Sequence, residues 1–231
     1  FGQKIGSELT TLPPKGAINV HASLLPKYRG AAPINWAIIN GETTTGISII
    51  TLAEKMDAGQ ILSQAQTDIR ADETAGLLHD RLAELAAPLL SKTIDQIATG
   101  TAVYAGQDDS KATLAPKLKK TDGFLDFTEP AETLARKIRG FWPWPGASAN
   151  YISKKTGKST RVNIATAEPV ETSNAEGLAA GTLDENLNII CGEDALKITR
   201  IKPAGSPLMD FKDFANGRHT QPGDLFMKIG K

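Results

Sequence analysis

The residues most able to do chemistry are an amide and an imidazole two positions apart. In the run 17–21 (AINVH), apolar β-branched residues alternate with polar ones, and Pro13, Pro14 and Gly16 bound the run on one side, the pattern of a short strand. Side chains at i and i+2 of a strand point the same way, so Asn19 and His21 share a face at the strand's C-terminal end. In open α/β sheets that end borders the crevice where ligands bind. Asp57, in the turn AEKMDAG between two further strand-like runs, is the carboxylate best placed to approach them. An amide can hydrogen-bond a developing oxyanion, an imidazole can move a proton near neutral pH, and a carboxylate can orient that imidazole or collect a proton through water. The trio suits acyl transfer. Spacing alone leaves a structural reading open, because Asn-x-His occurs in ordinary strands and an Asp before Ala-Gly often makes a local turn hydrogen bond.

The elements that would position these groups can be read along the chain. After the loop SLLPKYRG, Pro33 sits where a first helical turn accepts it, and Ile34, Ala37 and Ile38 form an apolar face before Asn40 and Gly41. The runs 46–52 (GISIITL) and 60–66 (QILSQAQ) read as strands. From Asp72, Leu77, Leu78, Leu82, Leu85, Leu89 and Leu90 recur at helical spacing, which predicts a helix closed by Gly100 and kinked at Pro88. Interspersed strands and helices predict an α/β layer. Composition then shifts at 104–120 (YAGQDDSKATLAPKLKK), which is polar and without period, so residues 101–117 are expected to link a first domain, 1–100, to a second, 118–231. There a helix over 129–139, capped by Thr128 and stopped by Gly140, is expected to expose Arg136, Lys137 and Arg139. Short runs at 147–152, 161–166, 187–191 and 196–201 predict a small β-barrel, and FWPWPG, with Trp142 and Trp144, reads as core and turn packing.

Bulk properties narrow the class without choosing a function. The 231 residues suffice for one large domain or two small ones, and 26 basic residues balance 26 acidic ones. The halves differ: from Lys117 onward 17 basic residues face 14 acidic, against 9 and 12 before it, a small bias toward a phosphate-facing second half. A single cysteine, Cys191, excludes an internal disulfide and reads as a buried strand residue. No apolar run is long enough to span a bilayer, and the start lacks signal-peptide character, so a cytoplasmic protein is expected. The chain opens on Phe1 in what reads as a strand end or loop, so a preceding segment is expected too. Three histidines without partners at ligand spacing give no support for a metal.

The string NVHASLLPKYRGAAPINWAIINGETTTGISI, followed by MDAGQIL, resembles the signature of the 10-formyltetrahydrofolate-dependent formyltransferase family, with the N-x-H strand, SLLP loop and D-x-G turn in order. Within it, AAPINWAIINGETTTG is most similar to the methionyl-tRNA branch. KLKKTDGFLDFTEPAETLARKIRGFWPWPGA resembles the start of that branch's C-terminal tRNA-binding domain, and ITRIKPAGSPLMDFKDFANGR its final strand and tail. The resemblance implies the C-terminal part of a Rossmann-like formyltransferase domain followed by a small OB-like barrel. It implies catalytic Asn19, His21 and Asp57, the first two stabilising an oxyanion while Asp57 holds His21. The co-substrate would be 10-formyltetrahydrofolate, set against Gly2, Gln3, Lys4, Ile5, the loop Ser23, Leu24, Leu25 and Pro26, and Leu52. The acceptor would be the α-amino group of methionyl initiator tRNA. Arg29 would meet the tRNA acceptor end or brace its own loop, and Lys117, Lys119, Lys120, Arg136, Lys137 and Arg139 would form a phosphate-contacting stripe. No metal, no membrane and a monomer are expected. An amino sugar nucleotide as acceptor, or a tRNA-binding fragment without catalysis, are the alternatives. The family's first third has no counterpart here, so this polypeptide alone is expected to transfer formyl poorly.

Overall fold

The structure, a computed structural model, describes residues 12–172 and 177–230. The chain forms two compact units that divide between Leu118 and Lys119. In the first, strands β1 (Ile18–His21), β3 (Thr44–Thr51) and β4 (Ile61–Asp68) form one sheet in the order β1-β3-β4. Both pairings are antiparallel, so the crevice rule for parallel strands does not locate the site among the described residues. Register does that instead: Asn19 lies opposite Ile50 and His21 opposite Ser48. The isoleucine run of β3 is buried, and Ile47 and Ile49 join Ile38, Leu78 and Leu82 in the core.

Helix α1 (Pro33–Ile39) starts on its proline, as expected. Helix α2 (Ala75–Thr99) starts three residues later than Asp72, because Thr74 supplies the cap, accepting from the Leu77 N–H, while Glu73 is buried in an ion pair with Arg81 at 2.7 Å. Gly100, at φ 75°, closes it, and the helix continues through Pro88. Its buried stripe is centred on Leu78 and Leu82; Leu77 is 61% exposed and belongs to the other face.

Residues 101–117 are not a slack connector. Ala105 exchanges backbone hydrogen bonds with Ile61 at 2.8 and 2.9 Å, and strand β5 (Leu114–Ala115) pairs in parallel with β2 (Arg29–Gly30). Trp36 donates its indole N–H to the Pro116 carbonyl at 2.8 Å. The polar composition that suggested a linker serves hydrogen bonds back to the first unit.

The second unit contains strands β6 (Ala147–Ile152), β7 (Ser159–Val170), β8 (Ile189–Ile190), β9 (Ala195–Pro203), β10 (Met209–Asp210) and β11 (Leu225–Met227). The order β10-β9-β7-β6-β11, with β8 on β9, is drawn into a ring by residues 181–183. Thr182 bridges Leu225 and Leu183 bridges Ile189, so this segment joins β11 to β8 and nearly closes a barrel. Helix α3 (Ala131–Phe141) packs Leu134 and Ile138 into the barrel core. It starts two residues later than expected: Pro130 occupies the cap position, Thr128 hydrogen-bonds Asp126 instead, and Gly140 lies inside the helix, buried. Helix α4 (Phe211–Arg218) adds Phe211 and Phe214. Cys191 is buried just beyond β8, and burial pushes its thiol up to about 12. Trp144 is 53% exposed, so the FWPWPG turn is not core at that residue.

Tyr151 in β6 is buried and donates its hydroxyl to Asp224 at 2.6 Å, and Asp224 also accepts from the Lys154 and Gln221 N–H groups. Burial, with the Asp224 acceptor beside it, pushes the Tyr151 hydroxyl from 10.0 up to about 12. A folded-state value above the unfolded one means the proton is held more tightly in the fold, so this contribution is complete below pH 10 and is lost as pH rises through about 12. Tyr151→Phe is expected to cost about 1–3 kcal/mol at neutral pH, by stranding a buried acceptor. Urea unfolding of both forms checks it: the difference should shrink as pH passes from 10 toward 12, and a difference independent of pH would contradict the assignment.

Candidate active site

Asn19 and His21 lie on one face of β1, with Val20 turned to the other and exposed. His21 is 5% exposed. Its Nε2 lies 2.9 Å from the Tyr28 backbone carbonyl, an acceptor only, so Nε2 carries the proton. The other ring nitrogen, Nδ1, faces Asp57 Oδ2 at 3.6 Å, an ion-pair distance too long for a direct hydrogen bond. The expected arrangement, in which Asp57 holds the ring, is therefore replaced: the Tyr28 carbonyl holds it, and Asp57 stands across a gap from the free nitrogen. Asp57 is fixed independently, its Oδ2 accepting the Gly30 N–H at 2.9 Å. The Asn19 side chain is half-buried on the same face as the ring.

The loop between β1 and α1 is shaped from beneath by β3 and β4. Ser48, fully buried, donates to the Ser23 carbonyl at 2.6 Å and accepts from the Leu25 N–H at 3.0 Å. Gln64 donates to Ser48 Oγ at 2.8 Å and to the Leu25 carbonyl at 3.0 Å. Ser23 and Leu25 are themselves buried, Ser23 donating to the Lys27 carbonyl. Both were expected against the folate, but their polar groups are spent on loop structure; Leu24, Pro26 and Leu52 are the members of that set with surface to offer. Gly2, Gln3, Lys4 and Ile5 lie outside the described residues. Tyr28, at φ 62°, turns the loop so that its N–H reaches Thr113 Oγ1 at 2.8 Å and its hydroxyl reaches Glu42 at 2.9 Å. Burial raises the pKa of that hydroxyl.

Arg29 is 4% exposed. Its guanidinium donates to Gln107 Oε1 at 2.6 and 3.0 Å and to Asp109 Oδ1 at 2.7 Å. It braces the loop and has no surface with which to meet RNA. The Arg29 guanidinium, with Lys55 nearby, holds the Asp109 carboxyl below the usual carboxylate range. Of the basic stripe, Lys117, Lys119 and Lys120 are exposed, whereas Lys137 pairs with Glu129 and Arg136 with Glu132. Arg139 is only partly exposed. Two cations of the stripe are thus paired with glutamates, one just before α3 and one in its first turn. Ser48, Gln64, Gln107, Asp109 and Thr113 were missed by sequence reasoning; the one signal available was the polar run QDDSKAT inside a segment taken as a linker. Among the described residues, no group of three or more His, Cys, Asp or Glu is placed to hold a metal ion, and no helix is long and apolar enough to cross a membrane.

Comparison with known proteins gives the arrangement a family. The family described as "Formyl transferase" matches residues 1–94 and "Formyl transferase, C-terminal domain" matches residues 117–219. The chain is 40% identical over 228 residues to a methionyl-tRNA formyltransferase of Citrifermentans bemidjiense, covering 99% of this chain and 70% of that protein. It is 38% identical over 233 residues to the methionyl-tRNA formyltransferase of Bacillus subtilis, covering 97% and 70%. Among solved structures, HypX from Aquifex aeolicus in complex with tetrahydrofolic acid superposes with a TM-score of 0.61 at 21% identity, over 86% of this chain and 34% of that one. An N-formyltransferase from Helicobacter canadensis superposes with a TM-score of 0.58 at 20% identity, over 80% and 64%. At those identities the superpositions speak for the fold alone. A Rossmann-like formyltransferase domain followed by a small barrel defines a formyl-transferring enzyme. The chain belongs to the methionyl-tRNA formyltransferase family.

Gly30 sits at φ 131°, where L side chains are rarely found, and a Cβ there would lie 2.4 Å from the Ala115 carbonyl oxygen. Gly30→Ala must therefore push β5 away or twist the N–H that holds Asp57. Thermal unfolding is expected to show a loss of about 1–3 kcal/mol, together with loss of formyl transfer. An alanine variant as stable and active as wild type would show that this contact is not required.

Proposed function

We propose that this chain carries the catalytic centre that transfers a formyl group from 10-formyltetrahydrofolate to the α-amino group of methionyl initiator tRNA. The observation that supports it is the placing of His21 Nδ1 opposite Asp57 at 3.6 Å, on the strand face that also carries Asn19. The methionyl-tRNA formyltransferases that are about 40% identical along nearly the whole chain supply the choice of acceptor.

In the proposed reaction the amine nitrogen bonds to the formyl carbon while the carbonyl electron pair moves onto oxygen. The Asn19 amide donates to that oxygen, and His21 donates to it from Nδ1 when the ring carries a second proton there, its Nε2–H remaining on the Tyr28 carbonyl. The Asp57 carboxylate accepts the proton that the nitrogen must lose once it has bonded to carbon, directly or through one water. Collapse re-forms the carbonyl and breaks the bond to N10 of the folate, which takes up the proton that Asp57 received. The products are the formylated aminoacyl-tRNA and tetrahydrofolate. Because Nε2 is tied to the Tyr28 carbonyl, Nδ1 is the ring atom left for the reacting oxygen. Leu24, Pro26 and Leu52 offer apolar surface to the folate, and the exposed Lys119 and Lys120 of the second unit offer charge to the tRNA backbone. The proposed setting is the cytoplasm.

His21→Ala is expected to reduce transfer of labelled formyl from the folate to charged initiator tRNA by about 100- to 10,000-fold, with tRNA affinity unchanged. Running the same assay with an amino sugar nucleotide tests the acceptor. Undiminished activity in the variant would remove His21 from the mechanism, and preference for the sugar would overturn the acceptor.

A further inference from the structure

The two ends of Asp57 are gripped by different parts of the chain, and both grips pass through a residue remote from it in sequence. Gln107 donates both amide protons to the turn that carries the carboxylate, to the Asp57 carbonyl at 2.8 Å and to the Gly59 carbonyl at 2.7 Å. Its Oε1 accepts two bonds from Arg29. Every donor and acceptor site of the amide is used, which fixes its orientation as well as its place. Arg29 immediately precedes Gly30, whose N–H holds the Asp57 carboxylate. The backbone at Asp57 has φ 51°, a conformation that costs a non-glycine residue of order 1–3 kcal/mol and persists only where neighbours enforce it. Here the enforcing neighbour is Gln107. Arg29 in turn tolerates burial because Gln107 and Asp109 answer its guanidinium. Gln107 falls between the two family matches, which end at residue 94 and resume at residue 117.

We infer that Gln107 and Arg29 are positioning residues for Asp57: the buried Arg29–Gln107 pair sets the gap between the carboxylate and His21 Nδ1, and so the geometry in which the proton moves. The assignment rests on the formyl transfer proposed above for its kinetic consequence, but not for its structural one.

Gln107→Glu is the discriminating substitution. It preserves shape and strengthens the bond to Arg29, yet turns a carboxylate oxygen toward two carbonyl oxygens that need a donor. Expected is a fall in kcat of about 10- to 100-fold, a KM for folate and for tRNA within about twofold of wild type, and a displaced pH profile of kcat. Gln107→Asn, which keeps the donor on a shorter stem, should recover part of the loss. NMR gives a readout that needs no turnover: the His21 ring resonances and titration should move in Gln107→Glu, while those of His79 and His219 stay. If wild type and variant share one His21 titration curve, or if activity per folded molecule is unchanged while only the unfolding temperature falls, Gln107 is merely structural and the inference fails. A wild-type protein that transfers no formyl group would instead refute the proposed reaction, with the NMR comparison still deciding the positioning role.

Discussion

A single carboxylate oxygen ties the first unit's site together. Asp57 Oδ2 accepts the Gly30 N–H at 2.9 Å and stands 3.6 Å from His21 Nδ1, so one atom fixes the separation of the turn after β3 from the loop after β1. Neither segment could hold that geometry alone. Asp57 needs a backbone conformation that L residues avoid, and Gly30 needs one that only glycine adopts easily. Both are enforced by residues 105–116, which pair with β2 and β4 and bury Arg29 between them.

The division of labour around His21 follows from that arrangement. If Asp57 made a short, direct hydrogen bond to the ring, the carboxylate would be committed to orientation and Nδ1 would be occupied. The Tyr28 carbonyl takes over orientation through Nε2, which leaves Nδ1 and the Asp57 carboxylate, 3.6 Å apart, side by side and available together to one reacting group. The site is buried at the ring, and in such surroundings each dipole aimed at a developing charge counts for more than it would in water. The Ser48–Gln64 layer below the SLLP loop does no chemistry, but it gives the loop's backbone polar groups internal partners, so the loop need not shift to find them.

Features that depend on neighbours in sequence were legible before any coordinates. The alternation in 17–21, Pro33 at a first turn, Gly100 after a leucine stripe and the run 147–152 all express local backbone preference, and each lies where it was expected to within a residue or two. The roles of Arg29 and of residues 105–116 were not legible, because they depend on distant partners that no local period announces: Arg29 meets Gln107 and Asp109 at 78 and 80 positions, and Gln107 meets Gly59 and Asp57 at 48 and 50. A polar, aperiodic run such as QDDSKAT looks the same whether water or a buried arginine satisfies it. Thr128 fails as a cap for a local reason: its hydroxyl and its N–H both donate to Asp126, two residues earlier, in a turn that precedes the helix, and Pro130 is left to open α3. In the second unit the ring closure by residues 181–183 rests on isolated bridges rather than a strand-length pattern, so the barrel was readable and its seam was not.

The central claim is that the Asn19 amide, the His21 ring and the Asp57 carboxylate surround one formyl carbon. The most direct measurement is a crystal structure of the protein with 5-formyltetrahydrofolate, an analogue whose formyl group does not transfer. The formyl oxygen is expected within about 3 Å of His21 Nδ1 or the Asn19 amide, with the Asp57 carboxylate beside the same formyl group. A formyl group lodged away from all three side chains, with His21 and Asp57 arranged as they are here, would contradict the account.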